Sequence, residues 1–252
     1  MADLRDAVTT VADGVTLISR AGVNCYLVET ADGPLLVDAG LPRSWKLMQG
    51  ALESLGLVPG DLVSVYLTHG HFDHVGMCDR LIREHHVPVH VHEKDRYLVR
   101  HPYSYAHELP RSPYPFRYPR ALPALARMVA AGALGVHGVD VHGDVRPEEG
   151  AATPGGLVPV WSPGHTFGHC GFFLPDRGVL FSGDALVTLD PYTGETGPRI
   201  VARAATADSA SALVALSALA ETDAGVVLPG HGSPFVDGAR PAVAQALAAG
   251  VS

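Results

Sequence analysis

Residues 69–74 of this 252-residue chain read HGHFDH, so three histidines and one aspartate fall within six positions where the apolar run 62–67 stops. In extended backbone, side chains two residues apart point the same way, so His69 and His71 can address one ion. Asp73 and His74 lie beyond them, where the chain is expected to bend into a following helix, and could serve a second ion. Imidazole with carboxylate suits Zn(II), Fe(II) or Mn(II), and the lack of a nearby cysteine argues against a sulfur-rich structural site.

One segment cannot fill two coordination spheres. His165 in SPGHTFGH, Asp184 in VLFSGD and His231 in VVLPGH share one pattern: an apolar strand, one or two small residues, then a ligand. Glycine beside a ligand lets the backbone approach closely and turn. Each of the three alone reads as a loop residue; their recurrence beside the first cluster argues for a metal site.

The elements that must carry these residues are short. Strands are predicted at 15–18, 25–29 and 35–38, the last two as a hairpin across ADGP. A helix is expected over 43–56, a buried strand over 62–67, a helix over 77–86 and a strand over 87–91. Residues 97–118 are rich in proline and aromatics and fit neither period, so 97–133 reads as an insertion with a helix at 122–131 behind it. Strands follow at 157–161, 170–174 and 179–182, then a helix at 206–220, a strand at 226–228 and a helix at 241–249. Two mixed sheets with helices outside, in one domain spanning 1–252, account for this order.

With HGHFDH, His165, Asp184 and His231 in place, the chain resembles the metallo-β-lactamase-fold hydrolase superfamily, whose H-x-H-x-D-H motif it meets in full. The resemblance implies an α/β, four-layer αββα sandwich with a dinuclear centre at one edge, holding two zinc ions or Fe2+ or Mn2+ in their place. It assigns His69, His71 and His165 to one metal and Asp73, His74 and His231 to the other, with Asp184 bridging. Asp38 in LLVDAG matches a recurrent aspartate expected to orient a ligand. Two cations sharing one water lower its pKa, giving a hydroxide for attack on a carbonyl. Asp73 and Asp184 are the candidate catalytic carboxylates, and His169 either lines the pocket or fixes a turn.

Among relatives, the ligand set looks like that of glyoxalase II-type thioesterases, acyl-homoserine lactonases and RNase Z-like phosphodiesterases. Relatives that hydrolyse β-lactams depart from it. Only 21 residues follow His231, with one arginine and no tyrosine or lysine, which disfavours a glutathione thioester. The expected substrate is a small ester, lactone or thioester. The alternatives are a mononuclear iron enzyme that oxidises persulfides, whose relatives keep much of the same motif, and a phosphodiesterase of the same fold. The insertion, with Tyr103, Tyr105 and Tyr114, is expected to form an aromatic lid or a homodimer interface.

Composition narrows the partners. The formal net charge is -8, from 26 acidic and 18 basic residues, and phosphate binding needs local positive charge. Neither a nucleic acid nor a membrane partner is expected. Three scattered cysteines make a poor disulfide framework, and no basic patch followed by an apolar run opens the sequence; both favour a cytoplasmic setting. His85, His86, His90 and His92 lack the glycine turns and carboxylate of the main set, so surface or supporting roles are expected. His137 and His142 alternate with valines and are expected to face solvent from a strand.

Overall fold

Alternation of apolar side chains to opposite faces shapes the central layers. In a computed structural model describing residues 6–147, 150 and 152–252, a seven-stranded sheet forms in chain order. Its strands are β1 (Ala7–Ala12), β2 (Val15–Arg20), β3 (Val23–Val28), β4 (Leu35–Val37), β5 (Ser64–Tyr66), β6 (Val89–His92) and β7 (Gly143–Val145). The first four pair antiparallel; β4 through β7 pair parallel. The second sheet uses β8 (Val158–Trp161), β9 (Cys170–Leu174) and β10 (Val179–Gly183). A separate ribbon of β11 (Val187–Leu189) and β12 (Thr196–Arg199) precedes β13 (Val226–Pro229), which completes the second sheet in the order β13-β10-β9-β8.

The helices are α1 (Trp45–Ser54), α2 (Cys78–His85), α3 (Arg96–Arg100), α4 (Tyr114–Arg117), α5 (Leu122–Ala130), α6 (Ser209–Glu221) and α7 (Ala239–Ala249). Cys25, Leu27, Leu36 and Val65 face one way and pack with Trp45, Met48 and Leu52 of α1 and Leu81 of α2. Their neighbours Tyr26, Val28, Leu35 and Tyr66 face the other sheet and meet Phe172, Val179 and Phe181. Leu180 and Val227 turn outward onto Leu216 and Leu219 of α6 and Ala242 and Ala246 of α7. The result is the four-layer αββα sandwich.

Strand direction explains where the chemistry gathers. Because β4, β5 and β6 are parallel, Asp38, the 69–74 segment and Asp95 all emerge at one edge. In the second sheet β8, β10 and β13 run the same way, with β9 reversed between β8 and β10, so His165, Asp184 and His231 also leave at a common edge. The two edges are sewn together. Tyr26 Oη and Asn24 Nδ2 of β3 donate to Pro229 O at 2.6 and 2.9 Å, and Cys170 N donates to Thr68 O at 2.9 Å.

Several elements differ from the sequence expectation. The helix expected from 206 starts at Ser209, because the Asp208 side chain accepts from Ser211 N and fixes the cap there. The last helix begins at Ala239, two residues before Pro241, a placement open to proline because the first-turn N–H groups lack partners anyway. The third parallel strand starts at Val89 rather than 87, after His86 closes α2 in the left-handed conformation. Strands β1, β7 and the β11–β12 ribbon were not expected; β1 is largely exposed, so burial imposes no clear alternation on it. His137 and His142 are exposed, but from irregular backbone ahead of β7 rather than from a strand. His92 is buried, with its ring 4.4 Å from that of Trp161. No helix among the described residues is long and apolar enough to cross a membrane. Cys25, Cys78 and Cys170 are buried and form no disulfide.

Phe181 is fully buried between the sheets with its ring edge on Tyr26 at 5.3 Å. Phe181→Ala is expected to cost about 3–5 kcal/mol, read as a lower urea midpoint at unchanged slope; a loss under about 1 kcal/mol would contradict this intersheet core.

Candidate metal centre

All seven ligand candidates are buried and come together. His69, His71 and His165 form one group of donor atoms, His69, His74 and Asp184 a second, and Asp73, His74 and His231 a third, each with donors within 4.8 Å of one another. Asp184 reaches both ends: its Oδ2 lies 3.4 Å from His165 Nε2 and 3.3 Å from His231 Nε2. His231 Nε2 is also 3.3 Å from Asp73 Oδ2.

Hydrogen bonds on the far side of the rings decide which nitrogen faces inward. The hydroxyl of Thr68 donates to Asp38 Oδ2 at 2.9 Å, so His69 must donate its Nδ1–H to Thr68 Oγ1 at 3.0 Å. His74 Nδ1 donates to Asp38 Oδ2 at 2.9 Å, and His231 Nδ1 to the carbonyl of Gly22 at 3.1 Å. His165 Nδ1 faces Thr206 Oγ1 at 3.5 Å, whose own proton goes to Val201 O. In each of these four rings Nε2 is therefore left to the interior. His69 Nε2, His71 Nε2, His74 Nε2 and Asp184 Oδ1 are buried without a hydrogen-bond partner. Orphaned polar atoms are rare in protein interiors, and four at one point, all hard or borderline donors, fit divalent cations.

The charge balance agrees. Burial holds His69 and His71 well below the usual imidazole range and brings His165 down to about 4, so these rings offer neutral lone pairs. For His74, burial pulls downward but the Asp38 and Asp184 carboxylates outweigh it and raise the ring well above its usual range. The same contest lifts His231 to about 10, with Asp184 as its main carboxylate partner.

Asp38, expected to orient a ligand, accepts from Thr68 N at 2.8 Å as well as from His74. It does so from the left-handed region at φ +61°, which aspartate enters more readily than most residues. His169 lies against the centre as a turn-fixing residue. Its Nε2 accepts from Asp184 N and Ala185 N at 3.1 and 3.2 Å, so its Nδ1–H donates to Ser162 Oγ at 2.9 Å. Close glycines make room: a Cβ on Gly230 would stand 2.1 Å from Asp184 Oδ1, and one on Gly183, at φ +50°, would stand 2.7 Å from His169 Nε2.

The tyrosines separate. Tyr105 lines a metal-facing cavity of about 30 Å3 together with His71, Asp73, His165, Asp184 and His231. Tyr103 instead stacks on Phe72 and donates to Ala133 O, and Tyr114 is buried against Ala202 and Ala204; neither lines that cavity. Their spacing from Tyr105 carried no signal of this, because the segment has no regular period.

Two residues escaped the sequence reading. Tyr192 lines the cavity with its Oη 2.8 Å from Tyr105 Oη. Asp95, just past the end of β6, accepts from Gly70 N at 3.0 Å, Gly168 N at 2.8 Å and Thr166 Oγ1 at 2.7 Å, tying both histidine loops together. The pattern of apolar strand followed by a carboxylate could have marked Asp95, but a turn separates it from the strand.

A family model described as the metallo-beta-lactamase superfamily matches residues 19–231, and the chain belongs to that superfamily. It is 29% identical over 188 residues to the probable metallo-hydrolase YflN of Bacillus subtilis (strain 168), covering 71% of this chain and 66% of that one. It is 27% identical over 195 residues to an N-acyl homoserine lactonase of a Bacillus species, covering 68% of this chain and 64% of that enzyme. The chain thus spans just under two thirds of the length of these curated relatives. Among solved structures, a metallo-beta-lactamase family protein from Thermus thermophilus superposes with a TM-score of 0.66 at 26% identity, covering 94% of this chain and 79% of that one.

Burial raises the Asp95 pKa from 3.8 to about 6 despite the three hydrogen bonds it accepts. Its folded-state pKa lies above the unfolded one, so the charged carboxylate detracts from stability as pH rises from about 4 to 6. Asp95→Asn turns one of the two accepting oxygens into an amide NH2 that faces a backbone N–H, so the melting temperature near pH 8 is expected to fall despite the lost charge. Chelator competition should show metal binding weakened about 10–100-fold; a lower melting temperature with unchanged affinity would contradict the loop-tying role. Protons on His74 and His231 in chelator-stripped protein must leave when ions load. Zinc titration at about pH 8, in buffers of different ionisation enthalpy, should register proton release, with affinity climbing toward pH 10; absence of release would count against these ligands.

Proposed function

We propose that the protein is a dinuclear metal-dependent hydrolase of small carboxylic esters, lactones or thioesters. The observation that carries this reading is the position of Asp184 Oδ2, within 3.4 Å of a ring nitrogen from each of the two histidine groups. His69, His71 and His165 would hold one ion and Asp73, His74 and His231 the other, with zinc the first expectation for such nitrogen and oxygen donors. Bound there, the cations would supply an activated water and positive charge against the oxygen that turns negative during acyl transfer.

The chain supplies the rest. The metal-facing cavity is walled by Phe72, Leu125, Met128, Pro191 and Val201, which keep bulk water out. Burial raises the phenol pKa of Tyr105 and of Tyr192, so both stay protonated. One proton joins the two oxygens, and the other is free to donate to a substrate carbonyl or to the departing oxygen. Asp73 and Asp184 also line the cavity and would accept or steer a proton. Among the described residues no lysine or arginine lines this cavity, which favours a neutral acyl group over a phosphodiester. The likeness to an N-acyl homoserine lactonase supports the same substrate class.

p-Nitrophenyl esters, lactones, thioesters and bis-p-nitrophenyl phosphate, assayed on protein of measured metal content, test the reading. Acyl substrates should turn over with two ions per chain, and His71→Ala should lose nearly all turnover while its circular dichroism stays native. One iron per chain with oxygen uptake, or turnover of the phosphodiester alone, would overturn it.

A further inference from the structure

The metal-facing cavity, at about 30 Å3, holds about one water-sized group. A substrate must therefore place everything beyond its reacting carbonyl elsewhere. A second cavity of about 180 Å3 adjoins the first, for Tyr105 and His165 line both. We infer that this second cavity is the subsite for an apolar acyl chain of about six carbons, an inference that rests on the hydrolase reading above.

Its walls are chemically plain. Leu98, Tyr105, Ala106, Phe167 and Ala207 line it, beside Lys94, Asp95, Tyr97, Ser104, His165 and Thr166. Asp95 also reaches it, but both of its oxygens are engaged by Gly70, Thr166 and Gly168, and the Thr166 hydroxyl is spent on Asp95. The Lys94 ammonium is drawn toward the Trp161 ring, 5.0 Å from its centroid. The Ser104 and Tyr97 hydroxyls also line it, but both residues are exposed and can bond to bulk water, whereas an alkyl chain needs no partner.

Two aromatics at this cavity are left in water, Tyr97 at 65% and Phe167 at 57% exposure. Phe167 lies between His165 and His169 on a loop whose neighbours Thr166 and Gly168 are both bonded to Asp95, so its ring is presented from fixed backbone. A chain entering past these rings covers apolar surface that the fold itself leaves uncovered. With a methylene occupying about as much space as a water, near 30 Å3, a volume of 180 Å3 takes about six carbons.

The test is a series of p-nitrophenyl esters from acetyl to decanoyl on the metal-loaded enzyme, beside calorimetric titration with acetate and octanoate. Each methylene should raise kcat/KM about three- to fourfold up to about six carbons and then stop. Ala207→Phe, which fills the cavity, should lower the octanoyl-to-acetyl ratio of kcat/KM at least about tenfold. Ala106→Phe fills it from an exposed wall position and keeps the test decisive should Ala207→Phe not fold. A flat chain-length profile, or ratios indifferent to both fillings, would overturn the subsite while leaving the hydrolase reading intact. If no ester turns over, the hydrolase reading fails and the titration decides the subsite alone. Octanoate bound at least about tenfold more tightly than acetate, with the difference erased by the fillings, supports it; equal binding overturns it.

Discussion

Lone pairs from buried imidazoles and carboxylates converge at one sealed point, and such a gathering is costly without positive charge to absorb it. Asp184 is the hinge of this arrangement, since His74, His165 and His231 all stand within 3.5 Å of its oxygens. Around it, each inward nitrogen is fixed by what the opposite nitrogen meets: Thr68, Asp38, Gly22 or Thr206. The rings cannot rotate to satisfy themselves without breaking those bonds. Protein stability elsewhere has to offset that local cost, and the intersheet layer of Tyr26, Phe172 and Phe181 is where much of the offsetting burial lies.

The sandwich makes this possible by strand direction. Three parallel strands in one sheet and three like-directed strands in the other bring their carboxyl ends to adjoining edges, the place where open α/β sheets usually bind ligands. Placement at an edge is coarse, so side chains refine it. Asp38 joins the segment after β4 to the one after β5, and Asp95 joins the latter to the loop after β8. Asn24 and Tyr26 hold the end of β13, and with it His231, against the first sheet. Asp95 keeps a charge that burial disfavours, a local conflict of the kind found where a site takes precedence over stability.

The aromatic segment after β6 divides its labour. Tyr105 turns inward and pairs with Tyr192, while Tyr103 and Tyr114 pack against neighbouring elements. Arg111 lies over the Tyr105 ring at 3.9 Å and donates to Ala204 O, which clips this wall to the segment following β12. The segment thereby closes one side of the metal-facing cavity and, through Tyr105, also lines the cavity beside it.

The candidate ligands were legible in the sequence because metal chemistry restricts residue type and the strand-end pattern restricts position. HGHFDH, and a glycine before His165, Asp184 and His231, encode both constraints locally. The buried strands were legible too, since alternation between two core layers repeats every second residue, as Cys25–Tyr26–Leu27–Val28 does. Exposed β1 and the short ribbon lacked that imprint. What tertiary structure alone decided was orientation. Which nitrogen faces inward, which tyrosine forms a wall, and that Asp95 grips a loop 71 residues further on all depend on partners distant in the chain, and a hydrogen bond between distant segments leaves no periodicity for a sequence to display.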